Sequence, residues 1–137
     1  MLQLADFAGE WRLAREIDDR LTIRHGRLSG TARFDPGGWG LVYLEKGLLD
    51  FPGQTPLTVR QSYLWRAAGR TVAVSFSDGR AFHTIDLAGS TAAARHDCAP
   101  DVYTVAYDFS RWPDWSATWD VTGPRKDYSM TSWYWRL

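Results

Sequence analysis

Residues 71–87 read TVAVSFSDGRAFHTIDL, and this stretch decides the fold class. On both sides of Asp78 and Gly79, apolar residues alternate with polar or small ones, which is typical of half-buried strands. An Asp-Gly pair between two such strands is the strongest short-range signal of a hairpin with a two-residue turn. The sequence therefore predicts two antiparallel strands joined at Asp78 and Gly79.

The turn also predicts which side chains of this hairpin share a face. A two-residue turn pairs Val74 with His83, and directly paired residues lie on the same face of a sheet. His83 is therefore expected on the apolar face of the hairpin. Phe82, one residue earlier, is expected on the opposite face, which points outward.

The same alternation continues along the whole chain, and turn signals recur roughly every ten residues, as in sandwiches and barrels. Residues 2–8 are predicted to form one short helical turn. Ten strands are predicted, over residues 10–17, 27–35, 40–46, 57–66, 71–77, 80–87, 91–98, 101–109, 115–122 and 127–136. Closure removes the unpaired edges that an open sheet would leave. We therefore predict an all-β fold, with residues 1–137 forming a single antiparallel up-and-down β-barrel domain.

The sequence also predicts the register of two further hairpins. A two-residue loop at Ala99 and Pro100 pairs His96 with Tyr103, which places both inside the barrel. A three-residue loop there is the alternative, and it would reverse one strand relative to the other. A four-residue loop over 123–126 pairs the residues at 119 and 130, which are apolar.

The composition restricts the classes of partner. Sixteen basic and sixteen acidic residues cancel, so the chain has no electrostatic footprint for nucleic acid or for an anionic membrane. No apolar run reaches the length of about 18 residues that spans a bilayer, and the N-terminal residues lack the pattern of a secretory signal. The one cysteine, Cys98, cannot form an internal disulfide. We expect neither nucleic acid nor membrane as a partner, and a cytoplasmic location.

Residues 7–11, FAGEW, resemble the Gly-x-Trp element on the first strand of lipocalins and other calycins. In those proteins an arginine near the end of the last strand stacks across the tryptophan, and Arg136 stands at that position. The resemblance implies a calycin barrel closed at one end by a cation–π contact between Arg136 and Trp11.

The chain is also similar to a bacterial domain family of unknown function with a lipocalin-like fold. The likeness is carried by residues 78–83 (DGRAFH), 96–98 (HDC) and 119–128 (WDVTGPRKDY). It implies a fold and transfers no activity. Residues 134–136 lack the Arg-x-Tyr order of fatty-acid-binding calycins, so no motif supports acyl-chain binding.

The predicted inner face is mostly apolar with a polar minority, which is the usual build of a small-molecule site. The alternative is that the buried polar groups only satisfy one another, for instance Arg15 with Glu45. The residues predicted to contact a ligand are Arg15, Tyr43, Tyr63, Trp65, His83, His96, Tyr103, Tyr107, Trp119, Tyr128 and Met130.

Three functions stay open on the sequence alone. We favour a carrier or sensor, without enzymatic activity, for a small and largely apolar molecule with a polar or anionic head. The first alternative is an enzyme of the isomerase or hydrolase type, in which His83 or His96 is the general base and a tyrosine the acid. The second is a structural protein, such as a homodimer that associates through Phe82, Trp133 or Trp135.

No metal site or cofactor is predicted. His96 and Cys98 share a face, but a zinc site usually uses three or four ligands. A haem needs only one axial histidine and an apolar pocket, so a haem-binding barrel stays an alternative that no motif indicates.

Overall fold

The computed structural model describes residues 1–137 and contains one 3-10 turn and ten strands. No helix in it is long and apolar enough to cross a membrane. The 3-10 turn is Leu4–Phe7, and the strands are β1 (Gly9–Asp19), β2 (Arg24–Gly37), β3 (Gly40–Asp50), β4 (Leu57–Ala68), β5 (Thr71–Phe76), β6 (Ala81–Asp86), β7 (Thr91–Cys98), β8 (Asp101–Arg111), β9 (Asp114–Gly123) and β10 (Lys126–Arg136).

All ten strands belong to one antiparallel sheet with the order β6-β5-β4-β3-β2-β1-β10-β9-β8-β7. The sheet curls until its two edge strands, β6 and β7, approach each other. These two strands form no backbone ladder with one another, and we call this gap the β6–β7 seam. The strands thus form a nearly closed barrel, which confirms the predicted all-β class, the ten strands and the short helical turn.

Alternation along each strand decides which side chains lie inside. In β1, Trp11 and Leu13 are fully buried, whereas Arg12 between them is exposed. In β2, Leu28 and Phe34 are buried in the same way. The inner faces of these two strands are therefore mostly apolar.

The predicted registers of the β7–β8 and β9–β10 hairpins are confirmed as well. His96 pairs with Tyr103 across a two-residue loop, and residue 119 pairs with residue 130. The β9–β10 turn is shorter than predicted, because Gly123 and Lys126 already pair and only residues 124–125 lie between them.

The β5–β6 turn differs from its prediction. It spans three residues, 77–79, and the backbone N–H of Phe76 donates to the carbonyl of Arg80 across it at 2.9 Å. Gly79 has φ +93°, a left-handed conformation that glycine adopts without steric strain. A three-residue loop that ends in a left-handed glycine is a common hairpin connection. The prediction of a two-residue turn at Asp78 and Gly79 is therefore wrong.

The longer turn is accompanied by a β-bulge in β6. Val74 pairs with His83 as predicted, but the next pair is Ser75 with Ala81, so Phe82 is an extra residue. A bulge re-aims side chains, and here Phe82 and His83 both line the interior. The prediction that Phe82 points outward, as a contact of a homodimer, is wrong.

Aromatic side chains fill one end of the barrel, which we call the closed end. Phe7, carried by the 3-10 turn, is completely buried among them, with ring centroids 4.9 Å from Trp112 and 5.8 Å from Phe34. This aromatic plug consists of Phe7, Trp11, Phe34, Trp65, Phe109, Trp112 and Trp115.

Arg136 and Trp11 secure the closed end, as the sequence predicts. The two residues pair across β1 and β10, and the guanidinium carbon lies 3.9 Å from the indole centroid. Arg136 also donates hydrogen bonds of 2.7 Å to the carbonyls of Asp6 and Ala8. The indole N–H of Trp11 donates to the carbonyl of Phe7 at 2.9 Å. The predicted closure contact between Trp11 and Arg136 is confirmed.

Replacing Arg136 with alanine tests this closure. The variant loses a cation–π contact and two charge-assisted hydrogen bonds, so we expect its free energy of unfolding to fall by about 1–3 kcal/mol. Urea unfolding measures the change. Arg125→Ala is the matched control, because Arg125 is exposed in the β9–β10 turn. Equal stability of the two variants would show that Arg136 does not hold the end closed.

Candidate functional site

The other end of the barrel, which we call the open end, holds a cavity of about 360 Å³. The turns β1–β2, β3–β4, β5–β6, β7–β8 and β9–β10 lie at this end, because the strands alternate in direction. The volume lies in the range of about 300–1,000 Å³ that is usual for small-molecule sites. The cavity begins where the aromatic plug ends.

Most of the predicted ligand contacts lie on the wall of this cavity. Ten of the eleven do so: Arg15, Tyr43, Tyr63, Trp65, His83, Tyr103, Tyr107, Trp119, Tyr128 and Met130. His96 does not, and it packs edge-on against Phe82 with the ring centroids 5.2 Å apart. Phe82 lies on the wall instead, because of the bulge in β6.

The predicted set omits three aromatic residues of the wall, Phe82, Trp115 and Tyr134. Phe82 was assigned to the outer face by the assumed two-residue turn. A glycine as the third residue of Ser77-Asp78-Gly79 is the signal that could have indicated the longer turn. No comparable signal distinguishes Trp115 from other inward residues of β9.

A buried ion pair forms part of the cavity wall. Arg15 on β1 donates from both Nη atoms to the two carboxylate oxygens of Glu45 on β3, each at 2.8 Å. The Nε of Arg15 donates to the hydroxyl of Ser132 at 2.7 Å, since β1 and β10 pair these two residues. Only 14% of the Arg15 side chain and 8% of the Glu45 side chain are exposed. A bidentate, largely desolvated pair of this kind has a fixed geometry.

Two tyrosines extend this network. The hydroxyl of Tyr43 donates to Oε1 of Glu45 at 2.6 Å, and the hydroxyls of Tyr43 and Tyr134 lie 2.8 Å apart. A phenol has one proton to donate, so Tyr134 donates to Tyr43 and Tyr43 donates to Glu45. The chain of hydrogen bonds therefore runs from β10 through β3 to the carboxylate.

Protonation states follow from burial. Burial disfavours the charged form of Arg15, but the hydrogen bonds and charge of Glu45 more than offset this and raise its pKa. Burial raises the pKa of Tyr134 to about 12, and it raises the pKa of Tyr43 well above its usual value. Near neutral pH both phenols are protonated. The one positive and one negative charge of the ion pair then balance.

His83 contacts Tyr107 on the opposite part of the wall. Its Nε2 lies 2.8 Å from the Tyr107 hydroxyl, while its Nδ1 is enclosed and has no hydrogen-bond partner. Burial, with a contribution from the charge of His96, lowers the pKa of His83 to about 4. The imidazole is neutral at neutral pH, and its Nε2 donates to or accepts from the Tyr107 hydroxyl according to the tautomer.

The positions of His83 and His96 can be compared with the two alternatives that use a histidine, a haem-binding barrel and an enzyme with a histidine as general base. The Nε2 of His83 is occupied and its Nδ1 is enclosed, so His83 presents no free nitrogen to a haem iron or to a substrate proton in the cavity. His96 lies off the wall. No group of three or more His, Cys, Asp or Glu side chains is close enough to hold a metal ion.

The family of the chain follows from comparison with known proteins. Residues 7–136 match the model of a family of unknown function, DUF6314. The chain belongs to this family. The match confirms the expected likeness to a domain family of unknown function. No curated protein matches the chain.

A solved structure resembles this DUF6314 member. It is a protein of unknown function from the DUF3598 family of Nostoc punctiforme PCC 73102, with a TM-score of 0.58 and 13% sequence identity. The alignment covers 98% of the present chain and 48% of the other, so the chain spans about half the length of that protein. At this identity the likeness shows a shared fold alone.

Variants of the buried ion pair test its contribution to the free energy of unfolding. Arg15→Met leaves the carboxylate of Glu45 buried without its partner, so we expect the free energy of unfolding to fall by about 3–5 kcal/mol. The double variant Arg15→Met/Glu45→Leu removes both charges, and it should recover most of this loss. Chemical denaturation of the three proteins measures both effects. A double variant no more stable than Arg15→Met would contradict the account of the pair as two mutually dependent charges.

His83 predicts a pH dependence of stability. In the folded protein it takes up a proton only near pH 4, whereas the unfolded chain does so near its usual value of about 6.5. Acid therefore favours the unfolded state, and wild type should lose about 3 kcal/mol through this group as the pH falls from 6.5 to 4.

Urea unfolding between pH 7 and pH 4 measures this loss, and His83→Gln should remove it. The control is His25→Gln, because His25 is 82% exposed, and it should retain the wild-type slope. A His83→Gln profile parallel to that of wild type would refute the assignment.

Proposed function

We propose that the protein is a carrier or sensor that binds one small, largely apolar molecule inside the barrel. The cavity of about 360 Å³ carries the proposal, since 18 of its 23 lining residues are hydrophobic and a few polar groups converge at one place. That combination is the usual build of a small-molecule site. The apolar body would lie against the aromatic wall, and a polar or anionic head would face Arg15 and Glu45.

The division of the interior also supports binding. The aromatic plug packs the closed end with fully buried side chains such as Phe7 and Trp11. The open end keeps a cavity of about 360 Å³ with a largely apolar lining. A ligand that packs against this lining would bury apolar surface, which is favourable.

We also place the barrel among the lipocalin-like, or calycin, folds. The stacking of Arg136 on Trp11 at 3.9 Å supports this assignment, as does the meander of ten strands in which the first pairs with the last. The cytoplasmic location expected from the sequence stays part of the proposal.

Blocking the cavity tests the proposed function. Val59 lies half-buried on the cavity wall, so Val59→Trp should fill the mouth and weaken binding of prodan, an uncharged naphthalene dye, about tenfold or more. Fluorescence titration of the dye measures the affinity.

The matched control is Val102→Trp, which adds the same indole to a half-buried position outside the cavity. This control should bind the dye as wild type does. Absence of dye binding to wild type, or equal binding by both tryptophan variants, would overturn the proposed function.

A further inference from the structure

We propose that the cavity selects an uncharged ligand whose head carries a hydrogen-bond acceptor beside a donor, as a primary amide does, over a carboxylate of the same shape. The inference rests on the proposed function, because it names the ligand class of the same cavity. It narrows the head from polar or anionic to polar and uncharged.

The charges on the cavity wall disfavour an anionic head group. Arg15 and Glu45 form a bidentate pair, so an anionic head would meet attraction and repulsion at similar distances. The two charges therefore leave little net attraction to replace the hydration that an anion loses on burial. A neutral head loses much less hydration. His83 is uncharged at neutral pH and adds no cation.

The pair of Arg15 and Glu45 also has hydrogen-bonding positions that no protein group uses. A guanidinium has five N–H donors, of which Glu45 and Ser132 accept three. The Tyr134 hydroxyl competes for a fourth, so at least one donor is left. A carboxylate has about four acceptor positions, of which Arg15 and Tyr43 use three.

The pair therefore offers a donor next to an acceptor, and both residues retain some exposure in the cavity wall. A primary amide supplies the complementary carbonyl oxygen and N–H. A carboxylate supplies two acceptors and would place one of them against the carboxylate of Glu45.

Two further cations, Lys126 and Arg60, lie near the mouth of the cavity. Lys126 donates to the Tyr103 hydroxyl at 2.8 Å and pairs with Asp101 at 3.2 Å, so its charge is balanced. Arg60 lines the cavity but is exposed, and water and salt screen exposed charges. Arg60 favours the approach of an anion without stabilising an anionic head beside Glu45.

The wall favours a flat ring as the body of the ligand. The ring of Phe82 stacks on Trp119 with a centroid distance of 5.1 Å and an interplanar angle of 15°. It also stacks on Tyr63 at 5.6 Å and 29°. Aromatic rings gain stability against one another in offset or edge-on pairs, so a naphthalene ring is a suitable probe.

The test compares three probes that differ only in the head group. They are 2-naphthamide, 2-naphthoate and 2-methylnaphthalene, each displacing prodan from wild type at pH 7. We expect the amide to bind about tenfold or more tightly than the carboxylate. In Glu45→Gln the positive charge of Arg15 is no longer balanced, so the carboxylate should become the tighter of the two.

The outcomes separate a failure of the inference about the head group from a failure of the proposed function. A carboxylate that binds wild type as tightly as the amide overturns the inference and leaves the proposed function standing. Bound prodan that none of the probes displaces also overturns only the inference. Absence of prodan binding overturns the proposed function, and the inference with it.

A second variant carries the test if Glu45→Gln fails to fold. Arg15→Met/Glu45→Leu keeps the wall uncharged but removes both the donor and the acceptor. The amide, which should bind wild type more tightly than 2-methylnaphthalene does, should lose that advantage in this variant. If the amide still binds this variant more tightly than 2-methylnaphthalene does, the pair does not recognise the head group, and the inference is overturned.

Discussion

Arg136 and Trp11 meet where the first strand of the chain pairs with the last. The pairing of these two strands, which lie at opposite ends of the sequence, joins the run β1–β6 and the run β7–β10 into one sheet. Because Arg136 also binds the carbonyls of Asp6 and Ala8, the same side chain holds the 3-10 turn that carries Phe7 into the barrel. The curl of the sheet, the aromatic plug and the position of the cavity all depend on this contact.

The two ends of the interior contribute differently to stability. The plug buries large rings at the closed end, and this burial is the main favourable contribution to folding. The pair of Arg15 and Glu45 lies farther along the barrel, and a buried ion pair contributes little to stability compared with apolar residues of similar volume. The pair leaves part of its hydrogen-bonding capacity unused within the protein, which is why we propose that it takes part in ligand recognition.

The patterns of the sequence predict local features well and distant contacts poorly, and the distant contact of Arg136 with Trp11 was expected only through the resemblance to calycins. Alternation and turn residues predict the ten strands and the pairing of His96 with Tyr103, because both depend on neighbours in the chain. The bulge at Phe82 depends on a turn one residue longer than Asp78 and Gly79 suggest, and it places Phe82 on the cavity wall. The contact of Arg15 with Glu45 could be named only as an alternative, since it depends on how β1 and β3 curve towards each other.

The β6–β7 seam has a mechanical consequence for the cavity. Along the rest of the wall, any increase in circumference would break the hydrogen bonds of a ladder. At the seam no ladder joins the two strands, and residues 87–90 connect them only at the closed end, so the open end can widen there with every ladder intact. Phe82 and His83 belong to a strand that borders this junction, and a guest molecule somewhat larger than the resting cavity would therefore be accommodated first on their side of the barrel.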